Sequence, residues 1–158
     1  MYITLAQYFS AGKGREGEKL DAPEATAEVQ ARAKGLLMMV NALLIEVAAA
    51  GHYAVVDSPN TGTQISGSPG GAGDGGFRLQ SSATGAAKSK HKLGAAVDVY
   101  DPGNRLDDYI TTFDSDNGWV NPLLEKYGLF RETPKATPGW CHLQCLPPPG
   151  GKVRTYLI

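Results

Sequence analysis

Ser89-Lys90-His91-Lys92-Leu93-Gly94-Ala95-Ala96-Val97-Asp98, with Trp140-Cys141-His142 ending 44 residues after Asp98, decides how this chain reads. The two segments supply two imidazoles and a carboxylate. That is the ligand set of an open catalytic zinc site, where three protein ligands leave a fourth position for water. Water held there titrates near neutral pH and can attack an amide. Ala95 to Tyr100 alternates and is partly β-branched, which predicts a strand with Asp98 near its end and Val97 and Val99 facing the other way. His91 lies just before that strand, where Gly94 permits a tight approach. In a strand over residues 140–144, Trp140, His142 and Gln144 share one face while Cys141, Leu143 and then Cys145 share the other. The apolar face should meet the core, so the imidazole points into a cleft. Neighbouring strands lie about 4.8 Å apart, close enough to bring His91, Asp98 and His142 to one ion.

Working outward, 158 residues predict a single domain over 1–158 with a real core. Fifteen basic and 16 acidic residues leave a formal charge of -1, and no Lys/Arg cluster marks a nucleic-acid surface. The N-terminus has no basic stretch before its short apolar run, so no signal peptide is expected. The apolar stretch from Leu36 to Ala50 is interrupted by Asn41 and Glu46 and is too short for a membrane span. Cys141 and Cys145, if extended, stand roughly 13 Å apart, beyond disulfide reach, so both are expected as free thiols. A monomer is expected.

Residues 1–22 read as polar and irregular after a short apolar start. A long core helix is predicted from near Pro23, with Asp21 as its cap and Gly51 as its stop. Val29, Leu36, Leu37, Val40, Leu43, Leu44 and Val47 recur along it at helical spacing. His52 then reads as a cation at the helix end. Tyr53 to Val56 and Gln64-Ile65-Ser66 are β-prone. Gly67 to Gly76 holds six glycines and reads as a loop. Its Gly71-x-Gly73-x-x-Gly76 lacks the strand–helix frame of a nucleotide-binding turn. Leu106, Ile110 and Phe113 mark a short helix; Asn121 caps another, with Pro122 at its first position and Gly128 at its end. Residues 129–132 and 140–144 read as a hairpin, and Val153 to Ile158 as a final strand.

Ser89-x-His91-x-x-Gly94-x-Ala96-x-Asp98 with the later Trp140-x-His142 resembles the zinc D-alanyl-D-alanine carboxypeptidase and L-alanyl-D-glutamate endopeptidase family, which includes many phage endolysins. Ile65-Ser66-Gly67 and Gly76-Phe77-Arg78 look like that family's Ser-Gly-(aromatic)-Arg segment split by a glycine-rich insertion. Tyr127 to Gln144 is similar to a phage and prophage branch ending in Thr-Pro-x-Trp-x-His-Leu-Gln, and the likeness covers roughly residues 60–158. The resemblance implies His91, Asp98 and His142 as zinc ligands, a carboxylate base beside the bound water, and an arginine, here Arg78, that grips a substrate carboxylate. Ser89, Trp140 and Gln144 enter as substrate-contacting or ligand-supporting groups. The chain departs from a common form of the pattern at Gly139, where an Asp or Glu often stands three residues before the last His. Glu132 is the replacement: hairpin pairing with residue 140 or 142 puts it on the His142 face. Asp101 is the weaker candidate.

Ser89-x-x-Lys92 and Ser115-Asp116-Asn117 also match motifs of serine penicillin-binding proteins. No Lys-Thr-Gly accompanies them, and the chain is short for that fold. The expectation is therefore an α+β domain whose small antiparallel sheet carries a zinc site, with helices packed on it, as in D,D-peptidases and the hedgehog signalling domain. The expected activity is hydrolysis of amide bonds in peptidoglycan stem peptides by a phage or prophage lysis enzyme, held in the host cytoplasm until lysis. A non-catalytic zinc-stabilised module is the alternative.

Overall fold

The long helix forms because one stripe of it is apolar and must be covered. In the computed structural model, which describes residues 2–54, 56–69, 74–82, 89–151 and 153–156, this helix, α2, spans Ala27–Ala49. It buries Ala33, Leu36, Leu37, Val40, Leu43, Leu44 and Val47. Its start differs from the sequence expectation. Asp21 closes a 3₁₀ turn over Glu18–Asp21, and the cap is Thr26, whose hydroxyl accepts the Val29 N–H at 3.2 Å. A threonine at the cap satisfies an amide that the first turn leaves without a partner. Gly51 ends the helix at φ 76°, a left-handed conformation that a side chain would resist.

The first residues are more ordered than their composition implies. Thr4 and Gln7 exchange side-chain and backbone hydrogen bonds in a capping box that starts a short helix, α1, over Leu5–Tyr8. Asn41, the polar break in α2, anchors this segment. Its Oδ1 accepts from the Tyr2 and Ile3 amides at 3.1 and 2.8 Å, and its Nδ2 donates to the Ile3 carbonyl at 2.9 Å. Asn41→Ala should cost about 2–3 kcal/mol, because buried backbone groups lose their partners. Urea unfolding measures this; an unchanged midpoint would show that the N-terminal segment does not rely on Asn41.

Among the described residues, four strands form one mixed sheet in the order β1-β3-β2-β4. They are β1 at Ala96–Tyr100, β2 at Phe130–Glu132, β3 at Trp140–Gln144 and β4 at Thr155–Tyr156. β1 and β2 both pair antiparallel with β3. β4 pairs parallel with β2, so the sheet is not wholly antiparallel as expected. The cause is an occupied edge: β1 already flanks β3, so the returning chain lands beyond β2 and runs in the same direction as β2. Val97, Val99, Cys141 and Leu143 enter the core from one face of the sheet. Asp98 and His142 lie on the other.

The β-prone segment at 64–66 contributes a single antiparallel bridge, Ile65 to Val99, that covers the outer edge of β1. Tyr53 and its described neighbours form no strand; instead the Tyr53 hydroxyl donates to the Tyr100 carbonyl at 2.9 Å, and residue 55 lies outside the described residues. Helix α3 spans Arg105–Thr111, and α4 spans Pro122–Lys126 behind the expected Asn121 cap. Both cysteines are free thiols, with Cys141 buried. Among the described residues, no helix is long and apolar enough to cross a membrane.

Arg131 is the largest fully buried side chain. Its guanidinium donates to Asp107 Oδ1 at 3.1 Å, the Asp107 carbonyl at 2.8 Å, Asp114 Oδ2 at 2.9 Å and Thr155 Oγ1 at 3.2 Å. This network ties β2 to α3 and β4. Sequence reading gave Arg131 no role.

Candidate metal centre

His91 is presented by a 3₁₀ turn over Lys90–Leu93, whose first amides are capped from Ser89: its hydroxyl accepts the His91 N–H at 3.3 Å. Gly94 ends the turn at φ 71°, and an added Cβ would lie 2.7 Å from the Val29 carbonyl of α2. The tight approach read into Gly94 is therefore real. It seats the histidine turn directly against the long helix.

Asp98 sits at the centre of β1, not near its end, directly across from His142 of β3. Asp98 Oδ1 is 2.8 Å from His142 Nδ1 and 3.3 Å from His91 Nε2. One ligand atom from each of the three residues lies within 4.8 Å of the others, and all three residues are buried. This cluster could hold a metal ion, and its two imidazoles and carboxylate are ordinary zinc donors.

Each candidate ligand is anchored from behind. His91 Nδ1 lies 2.9 Å from the Gly76 carbonyl, to which it donates. Asp98 Oδ2 accepts from Arg78 Nη2 at 3.3 Å. His142 Nε2 lies 2.9 Å from Gln144 Oε1. Partners of this kind fix ring orientation and ligand basicity in metal sites.

The glycine-rich loop gains a role that its composition alone did not show. Gly75 and Gly76 wedge the backbone under the site: an added Cβ would sit 2.0 Å from the Ser66 carbonyl and 2.2 Å from the Tyr8 carbonyl, respectively. That closeness lets Gly75 O accept from Asp98 N at 2.8 Å and Gly76 O receive His91. Gly71 and Gly73 of the nucleotide-type motif lie outside the described residues.

Electrostatics follow from burial and proximity. Burial opposes charge on Asp98, but the neighbouring imidazoles outweigh it and hold this carboxyl far below its ordinary range. Burial lowers the His91 pKa despite Asp98. Burial also works against a charged His142, but the hydrogen bond to Asp98 prevails and raises it.

Glu132 stands outside the three-residue cluster. The β2–β3 pairing, Phe130 to Gln144 and Arg131 to Leu143, puts Glu132 on the His142 face of the sheet, within its electrostatic reach. Burial raises its pKa, while His142 pulls it back. Asp101, the weaker candidate, is spent elsewhere: its carboxylate accepts from the Leu106 and Asp107 amides at 3.2 and 3.1 Å and caps α3.

Arg78 reaches the site through Asp98, and its Nε donates to the Asp74 carbonyl at 2.6 Å. Trp140 lies half-buried on the His142 face of β3. Gln144 is buried against His142. The sequence missed Tyr156, whose hydroxyl donates to Gln144 Oε1 at 2.6 Å and whose ring stands edge-on to His142 at 6.5 Å. No local signal marks Tyr156, since its position depends on β4 docking beyond β2.

The serine motif is not assembled as a nucleophile. Lys92 is buried and its Nζ donates to the Gln80 and Ser82 carbonyls at 3.2 and 3.3 Å, while Ser89 caps the histidine turn. Asp116 and Asn117 occupy left-handed turn conformations. His52 stacks on Tyr109 at 4.9 Å beside a groove of about 600 Å³ that shares no residue with the metal cluster.

No family model matches this chain, and neither a curated protein nor a solved structure matches it.

Proposed function

We propose that this chain is a zinc peptidase that hydrolyses amide bonds in the peptide stem of bacterial peptidoglycan, with a D,D-peptidase- or hedgehog-like arrangement of its sheet and site. The observation that carries the reading is the buried His91–Asp98–His142 cluster with a half-buried carboxylate, Glu132, on the same face of the sheet within electrostatic reach of His142. The chain's Ser-x-His-x-x-Gly-x-Ala-x-Asp and Trp-x-His motifs supply the substrate class by resemblance. A lysis enzyme of phage or prophage origin, held in the host cytoplasm until it reaches the wall, fits the same resemblance.

His91, Asp98 and His142 would hold the zinc. When bound, the ion supplies Lewis-acid polarisation of a carbonyl and an acidified water. The chain's own residues do the rest. Glu132, with its pKa raised by burial, accepts a proton from the attacking water and delivers it to the leaving amine. Arg78 spends two of its five donors on Asp98 and the Asp74 carbonyl, and the remainder serve a substrate carboxylate. Ser89 holds the His91 turn, and Trp140 offers an aromatic face beside His142. Half-burial of Glu132 near two ligands favours an enzyme over the non-catalytic module.

Digestion of purified peptidoglycan tests this reading. Mass spectrometry should show stem peptides cut at one amide bond, with release abolished by a strong chelator and restored by zinc. Intact stem peptides after incubation with zinc-loaded protein would favour the non-catalytic module.

A further inference from the structure

Gln144 and Tyr156 form a chain of hydrogen bonds behind one ligand, and its polarity is forced. Gln144 Nε2 donates to the Leu146 carbonyl at 2.6 Å, which orients the amide. Its Oε1, an acceptor only, then faces two groups: the Tyr156 hydroxyl at 2.6 Å and His142 Nε2 at 2.9 Å. Both must donate. His142 therefore carries a proton on Nε2, and Nδ1, which donates to Asp98 Oδ1 at 2.8 Å, is the nitrogen that would give up its proton to an ion.

We propose that Gln144 and Tyr156 are a positioning pair that commits His142 to bind the metal through Nδ1. The proposal rests on the metal reading of the cluster. His91 is committed the opposite way: its Nδ1 is taken by the Gly76 carbonyl, so it presents Nε2. The two imidazoles thus approach through different nitrogens, and a separate backing group sets each choice. For His91 the group is backbone, from the glycine-rich loop. For His142 it is a side chain two residues along the same strand, locked by a hydroxyl from β4.

Two features make Tyr156 part of the device. Gln144 Oε1 has two lone pairs, and the tyrosine occupies the one His142 leaves. Gln144 is itself only 1 % exposed, so water is a poor substitute for either partner. β4 also pairs with β2 so that Tyr156 sits across from Glu132, the proposed base. Docking of this last strand therefore completes the backing of His142 and flanks Glu132 in one step.

The test is nitrogen NMR of the imidazoles in zinc-loaded, ¹⁵N-labelled protein, with zinc affinity by chelator competition. Wild type should show His142 protonated at Nε2 and metal-bound at Nδ1, with His91 the reverse at both atoms. Gln144→Met should weaken zinc binding by about 10–100-fold, the scale for losing a group behind a ligand. Gln144→Glu, which keeps the acceptor oxygen, should preserve Nδ1 ligation. Tyr156→Phe should weaken zinc binding less than Gln144→Met, with the circular dichroism of the metal-free protein unchanged. Nε2 ligation by His142 in wild type would overturn the proposal, as would wild-type affinity with Nδ1 ligation in Gln144→Met. Wild-type protein that takes up no zinc would instead overturn the metal reading beneath it. If Gln144→Met does not fold, the wild-type spectrum alone decides.

Discussion

Glu132→Gln should lower turnover on peptidoglycan stem peptides by about 10²-fold or more while zinc content and fold are retained. The substitution keeps side-chain size and removes only the ability to take up a proton. Glu132 lies outside the ligand cluster, so the metal should stay. It shares the His142 face of the sheet within electrostatic reach, and burial raises its pKa, which moves it toward the range where one group can serve as base and then as acid. Steady-state kinetics on a soluble stem peptide, with zinc measured on the same preparation, provide the check. Near wild-type turnover would move the base elsewhere. Asp101 would be a poor successor, because its carboxylate is committed to the amides that open α3.

Arg131→Met should cost about 3–5 kcal/mol of folding stability, the scale for leaving buried charge without its partner. Asp107 and Asp114 would lose the guanidinium they share, and β4 would lose the contact from Thr155. The deficit should depend on pH. Burial pushes the Asp107 carboxyl up to about 6, and Arg131 opposes that rise. A carboxyl raised in the folded state is protonated in both states at acid pH and loses stability as pH climbs through its folded value. Without Arg131 that rise is larger. The deficit should therefore stay level up to about pH 6, where the wild-type carboxyl ionises, and grow above it, as read from denaturant midpoints. A deficit that does not change with pH would mean that Asp107 carries no charge that Arg131 compensates.

The site was legible where chemistry follows local periodicity. Alternation in β1 and β3 places Val97, Val99, Cys141 and Leu143 inward and leaves Asp98 and His142 together on the opposite face. The α4 start was legible for the same reason, since Asn121 caps it within one turn. Long-range choices were not. Whether Asp21 or Thr26 caps α2 depends on which local structure claims the preceding residues. The direction of β4 depends on which sheet edge is already filled. Arg131 looks like a surface residue until two acidic groups from other elements enclose it. Gly75 and Gly76 read as loop until Tyr8, Ser66 and His91 crowd around their backbone. Gln144 was legible as a group on the site face, but its backing of His142, and Tyr156 behind it, needed the tertiary fold.

The most direct measurement is the zinc content of protein purified without added metal, set beside that of His142→Ala. One zinc per wild-type chain and loss of that zinc in the variant are the predicted results. No zinc in the wild type, or full zinc in His142→Ala, would contradict a metal centre at His91, Asp98 and His142.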